Sequence, residues 1–139
     1  MLPDQTFSYA SAVVLVGAAP VPVAPLFADL PASLPVVAAD GGAHTVLASG
    51  RRPDLVIGDM DSSADLPPDI ERLHLTGQDD TDFEKCLKRI TAPLIIGFGF
   101  LDARLDHTLA AMHALADGRT EVLLRDFEEQ LAQYAQRQW

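Results

Sequence analysis

Six short apolar runs do most to constrain what this chain can fold into. They are Ala12–Gly17, Val36–Ala39, Leu55–Ile57, Leu73–Leu75, Leu94–Ile96 and Val122–Leu124. Most are continuous rather than alternating, as expected for strands covered on both faces. Helical patterns lie between them. Residues 42–49 form one, stopped by Gly50, and residues 81–90 another, opening on the capping-box pattern Thr81-Asp82-Phe83-Glu84. In 104–117, Leu105, Leu109, Met112 and Ala116 share one face before Gly118. Residues 126–138 give a last, polar helix, and the proline-rich segment 20–35 reads as a loop around a short helix. This alternation predicts an α/β fold: a doubly wound, mostly parallel six-stranded sheet in three layers. The 139 residues suit a single domain, 1–139.

Charge narrows the function classes. Ten basic and 20 acidic residues give a formal net charge of −10. That leaves no basic footprint for nucleic acid and disfavours an anionic membrane surface. Nine of the acids (Asp54, Asp59, Asp61, Asp65, Asp69, Glu71, Asp79, Asp80 and Asp82) fall in one stretch whose only Lys or Arg is Arg72. Such a run is either a solvated face or a set of carboxylates sharing a cation. The single cysteine, Cys86, excludes an internal disulfide and fits a reducing, cytoplasmic setting. It reads as a small core residue rather than a nucleophile, since no histidine lies near it in sequence. No Lys or Arg precedes Arg51, so the basic region of a signal peptide is missing. No apolar run approaches the roughly 20 residues that span a bilayer.

The second to fifth runs are each followed at once by Gly, Asp or both: Asp40-Gly41-Gly42, Gly58-Asp59-Met60-Asp61-Ser62, Thr76-Gly77-Gln78-Asp79-Asp80-Thr81-Asp82 and Gly97-Phe98-Gly99. In a parallel sheet these segments meet at the carboxyl edge, where open α/β sheets bind ligands. Two carboxylates about 5 Å apart repel by roughly 3 kcal/mol at an effective dielectric near 20. A divalent cation reverses that sign, and magnesium prefers one or two carboxylates plus phosphate oxygens. Asp59 and Asp61 form one such pair, with Asp82 a third oxygen donor. The plainer reading of Asp-x-Asp is a turn or cap. Gly41-Gly42 either supplies positive φ or lets backbone approach a phosphate. No GxxxxGK[ST] occurs, and Gly97-Phe98-Gly99 lacks the later glycine of a dinucleotide fingerprint.

Asp40-Gly41-Gly42-Ala43, Pro53-Asp54, Gly58-Asp59-Met60-Asp61-Ser62, Gln78-Asp79-Asp80-Thr81-Asp82-Phe83-Glu84-Lys85 and Arg104-Leu105-Asp106-His107 follow in this order. Together, over residues 12 to 130, they resemble the catalytic domain of thiamine pyrophosphokinase. The resemblance implies a Rossmann-like cytoplasmic enzyme, a homodimer, that uses magnesium. It transfers the pyrophosphoryl group of ATP to the hydroxyl of thiamine, leaving AMP. By the same resemblance Asp59, Asp61 and Asp82 hold metal, and Asp40 is an active-site acid near metal or nucleotide. Gln78, Thr81 and Lys85 line phosphates with Gly41 and Gly42. Arg104 and Asp106 border the phosphates and the thiamine approach. Such a transfer needs alignment and charge neutralisation more than covalent help. Either Asp40 or Asp106 could accept the thiamine proton. The plainer readings are an ion pair on its own helix face for Lys85, a surface position for Arg104, and packing or capping for His107. His44, His74 and His113 have no zinc spacing.

Three departures accompany the resemblance. Asp102-Ala103 stands where the family has Gly-Gly, and Gly77 where it commonly has Asp. The family's C-terminal β-sandwich, which with the partner subunit completes the thiamine pocket, has no counterpart before Trp139. Aromatic residues total 6%, and no ring pocket is evident. The second expectation is therefore a non-catalytic magnesium–nucleotide binding or regulatory module. A receiver-like signalling domain would need acids after the first strand, where Gly17-Ala18-Ala19-Pro20 stands instead.

Overall fold

The computed structural model describes residues 6–19, 23–59, 66–75, 81–100 and the backbone of 122–124. The described strands are β1 (Phe7–Ser8), β2 (Val13–Val16), β3 (Val36–Ala39), β4 (Leu55–Gly58), β5 (Arg72–His74), β6 (Ile90–Thr91), β7 (Ile95–Phe98) and β8 (Val122–Leu124). The helices are α1 (Ala24–Asp29), α2 (Gly42–Ala48) and α3 (Asp82–Leu87). The fold is mixed α/β with parallel pairing. Among the described residues one sheet runs β5-β4-β3-β2-β7-β8, every neighbouring pair parallel. The register sets Val14 beside Val36, Val37 beside Leu55, Ile57 beside Leu73, and Val13 beside Ile95.

The continuous apolar runs are explained by burial from two sides. Alternate residues Val13, Leu15, Val37, Ala39, Leu55, Ile57, Leu73 and Ile95 pack on one face with Phe83 and Cys86 of α3. The intervening Val14, Val16, Val36, Ala38, Val56 and Ile96 pack on the other with Leu26 of α1 and Ala43 and Val46 of α2. Because side chains alternate along a strand, helices on both faces leave no position for a polar residue in β2, β3 or the core of β4.

Chemistry at the strand ends fixes direction. At the amino edge, Asp54 accepts a hydrogen bond from the Val36 N–H through Oδ2 (2.8 Å), and its own N–H donates to the Val36 carbonyl (2.7 Å). The Arg72 guanidinium donates to the carbonyls of Leu66 and Pro67 (3.3 and 3.0 Å) and tethers the approach to β5. Helix α2 stops as expected: Gly50 takes φ +89° with its N–H on the Leu47 carbonyl.

Two elements differ from expectation. The helix expected over 81–90 ends at Leu87, and Ile90–Thr91 instead form β6. That strand pairs parallel with β1, an element the periodicity did not reveal. The Phe7 N–H reaches the Arg89 carbonyl (2.7 Å), and Ile90 is buried in the α3-side core. A strand of two residues is too short to show a period of two. The helices expected over 104–117 and 126–138 lie outside the described residues.

Candidate functional site

Three described acids come to the carboxyl edge by different routes. Asp40 directly follows β3, Asp59 directly follows β4, and Asp82 opens α3, the element after β5. Asp40 and Asp59 are half-buried, while Asp82 is exposed. The other acids of the acidic stretch divide. Asp54 secures the start of β3 at the opposite edge. Asp69 pairs with Arg52 at 2.9 Å in solvent. The hydrogen bond from Arg52 is the largest cause holding the Asp69 carboxyl below its ordinary range.

Asp40 is the most constrained of the three. Its φ of 43° is left-handed, a region where Asp and Asn are the most tolerated side chains after glycine. Its N–H donates to the Ile57 carbonyl (2.8 Å) and its own carbonyl accepts from the Ala43 N–H (3.1 Å). One residue thus joins the ends of β3 and β4 to the first turn of α2, and its Oδ1 is buried. The positive φ proposed for Gly41-Gly42 falls on Asp40 instead, since Gly41 has φ −60°. Gly42 serves another purpose. A Cβ there would overlap the Val16 carbonyl, so the glycine lets α2 rest directly on the end of β2. Gly41 has more room, with the Ala18 Cβ 3.3 Å from where its own would stand.

Helix α3 is placed by its cap. The Thr81 hydroxyl oxygen accepts from the Glu84 N–H (3.2 Å) and donates to Glu84 Oε1 (3.2 Å). This fixes the first turn and so the exposed Asp82 and the half-buried Lys85. Phe83 packs on Phe100, ring centroids 4.6 Å apart, which ties that turn to the segment after β7. Cys86 is fully buried beneath. It is part of the core, as expected, and burial, then the nearby Asp82, drives its thiol pKa well up.

The loops after β2 and β7 are closed on each other. The Gly17 N–H donates to the Phe98 carbonyl (2.7 Å) and the Ala19 N–H to the Gly99 carbonyl (2.9 Å). The strand order reverses here, where ligands often enter such sheets. At this level backbone closes directly on backbone.

Asp61, Gln78, Arg104 and Asp106 lie outside the described residues. Among the described residues no group of three or more His, Cys, Asp or Glu is gathered as a metal cluster. The acids placed after the strands nonetheless offer carboxylate oxygen, and the one thiol is buried in the core. That chemistry fits a hard cation such as magnesium and not a soft one. Gly17, Gly58 and Gly99 were not singled out for their own roles in the sequence. A glycine closing a strand of β-branched residues is the signal that could have marked them.

The model of the thiamin pyrophosphokinase catalytic domain matches residues 30–123. The chain belongs to this family. A thiamin pyrophosphokinase from Geobacillus thermodenitrificans is 25% identical, with a TM-score of 0.66 over 81% of this chain and 58% of that one. The thiamine pyrophosphokinase from Bacillus subtilis is 22% identical, also with a TM-score of 0.66, over 82% and 60%; at that identity it supports the fold. A protein from Lactobacillus plantarum is 25% identical, with a TM-score of 0.60 over 83% and 59%. This chain therefore spans under two thirds of the length of these three structures. No curated protein matches it. Among the described residues no helix is long and apolar enough to cross a membrane.

Proposed function

We propose that this chain carries the nucleotide-binding and phosphoryl-handling part of a thiamine pyrophosphokinase, which transfers pyrophosphate from ATP to the primary hydroxyl of thiamine and releases AMP. The single observation that supports the reading is that Asp40 and Asp59 directly follow the adjacent parallel strands β3 and β4, with Asp82 opening the helix after β5, in a chain of this family. In the proposal residues 1–139 act as one catalytic unit, a cytoplasmic homodimer.

Asp59, Asp61 and Asp82 would hold magnesium. When bound, the ion supplies positive charge against the phosphates of ATP, which an acidic chain cannot otherwise hold. Lys85 and Arg104 add fixed positive charge for the equatorial oxygens, and Gln78 orients the phosphates. Gly41 and Gly42 keep the backbone beside Asp40 clear of side chains. Thr81 acts mainly by placing α3, because its hydroxyl is engaged in the cap. Asp40 and Asp106 are the two candidates to accept the thiamine hydroxyl proton. Rate then comes from holding hydroxyl and phosphorus in line, which is worth several orders of magnitude.

Incubation of the chain with ATP, magnesium chloride and thiamine should yield AMP and thiamine diphosphate in equal amounts. Asp59→Ala should abolish magnesium-dependent ATP binding, read by calorimetry. Unchanged affinity in that variant would reduce Asp59 to a turn residue. Asp102-Ala103, where the family has Gly-Gly, favours one second reading, a magnesium–nucleotide binding module without turnover. ATP binding with no AMP formed would select it.

A further inference from the structure

Gly58 ends β4 at a position where the strand's other residues, Leu55, Val56 and Ile57, are large. Glycine weakens a strand, so its presence marks a close approach. The group that approaches is Asp40. A Cβ on Gly58 would stand 2.8 Å from the Asp40 Cβ, 3.2 Å from its Cγ and 3.3 Å from its Cα, and these are its three nearest neighbours. Both backbones are tethered by hydrogen bonds. Gly58 is held on its far side, where its carbonyl accepts from the Leu75 N–H (2.7 Å) and its register partner is His74. Asp40 is held by Ile57 and Ala43 and is already in the left-handed region. An added methyl group would therefore have to push the Asp40 Cβ, and with it the backbone that carries it, off its place beside β4.

We infer that Gly58 is a positioning residue: its bare backbone is the seat against which the Asp40 carboxylate is aimed along the sheet edge. It also sets the spacing between Asp40, its lateral neighbour, and Asp59, its successor in the chain. Ordinary contact begins at 3.4 Å, so Gly58→Ala displaces the Asp40 side chain by at least about half an ångström. Misplacement by 1 Å can cost about a hundredfold in an aligned site, so a loss of about tenfold is expected here. The functional consequence rests on the proposed role of Asp40; the seat itself does not.

The test is a double-mutant cycle on the full chain with Asp40→Gly, which removes the opposing side chain and suits the left-handed backbone. Gly58→Ala should weaken magnesium-dependent ATP binding about tenfold by calorimetry. D40G/G58A should bind no more weakly than D40G. In urea unfolding, Gly58→Ala should lower the midpoint in the native background and cause little further loss in D40G. If Gly58→Ala fails to fold, D40G/G58A should restore folding. An equal effect of Gly58→Ala on midpoint or affinity in both backgrounds overturns the inference, as does failure of both variants to fold. A wild-type chain that binds no ATP overturns the proposed function instead, and the unfolding half of the cycle then decides the seat alone.

Discussion

At the scale of single residues, two adjacent glycines differ sharply in what they permit. Gly42 touches the Val16 carbonyl through the space a Cβ would need, whereas Gly41 has an ordinary φ and a contact that a neighbour can yield to. Gly42→Ala should therefore cost about 1–3 kcal/mol or more, an overpacking penalty against rigid backbone. Gly41→Ala should stay within about 1 kcal/mol, both read from urea denaturation. The sequence presents these as one motif, and only the packing separates them. Cys86 gives a second prediction. Its folded thiol titrates above the ordinary value of 9.0 because burial disfavours the thiolate. Below 9.0 the thiol is protonated in both states and its contribution to stability is intact. Above that, the unfolded thiol loses its proton first and stability declines as pH rises. A thiol reagent at pH 8 should leave the folded chain unlabelled and label it fully in urea; rapid labelling of the native chain would contradict this burial.

At the scale of elements, α3 shows how a six-residue helix becomes a fixed part of the edge. It is too short to be stable by propensity alone. The Thr81 cap and the burial of Phe83 and Cys86 hold it. Thr81→Ala should cost about 1 kcal/mol, and Thr81→Ser should recover most of it, in thermal or urea unfolding. Loss of ATP affinity in Thr81→Ala but not in Thr81→Ser would tie the cap to the placement of Asp82 and Lys85. The capping-box pattern made the start of this helix legible. Its end was not, because Lys88 to Ile90 could continue a helix as far as local pattern goes. A ladder to Phe7, 83 positions earlier in register, decides against it. Arg52 and Asp69 illustrate the reverse case: a well-formed 2.9 Å pair between exposed side chains contributes little to stability.

At the scale of the whole molecule, stability and ligand binding should be linked. If the carboxyl edge takes ATP with magnesium, a hundredfold excess over Kd adds about 2.7 kcal/mol to stability and raises the melting midpoint by several degrees. A chelator should remove the gain, and a midpoint indifferent to both ligands would count against the site. The sequence by itself determined the class of fold, the positions of the principal strands, and the placement of Asp40 and Asp59 directly after neighbouring parallel strands. It could do so because burial on two faces writes continuous apolar runs, and because parallel strands put every following loop at the same end. Only the tertiary structure decided which acids leave that edge, with Asp54 bound to the start of β3 and Asp69 to Arg52. It alone showed that Asp40, not its glycines, carries the left-handed turn, and that Gly42 and Gly58 are there for the atoms they lack. Those outcomes depend on distances between segments far apart in the chain, which no local pattern encodes.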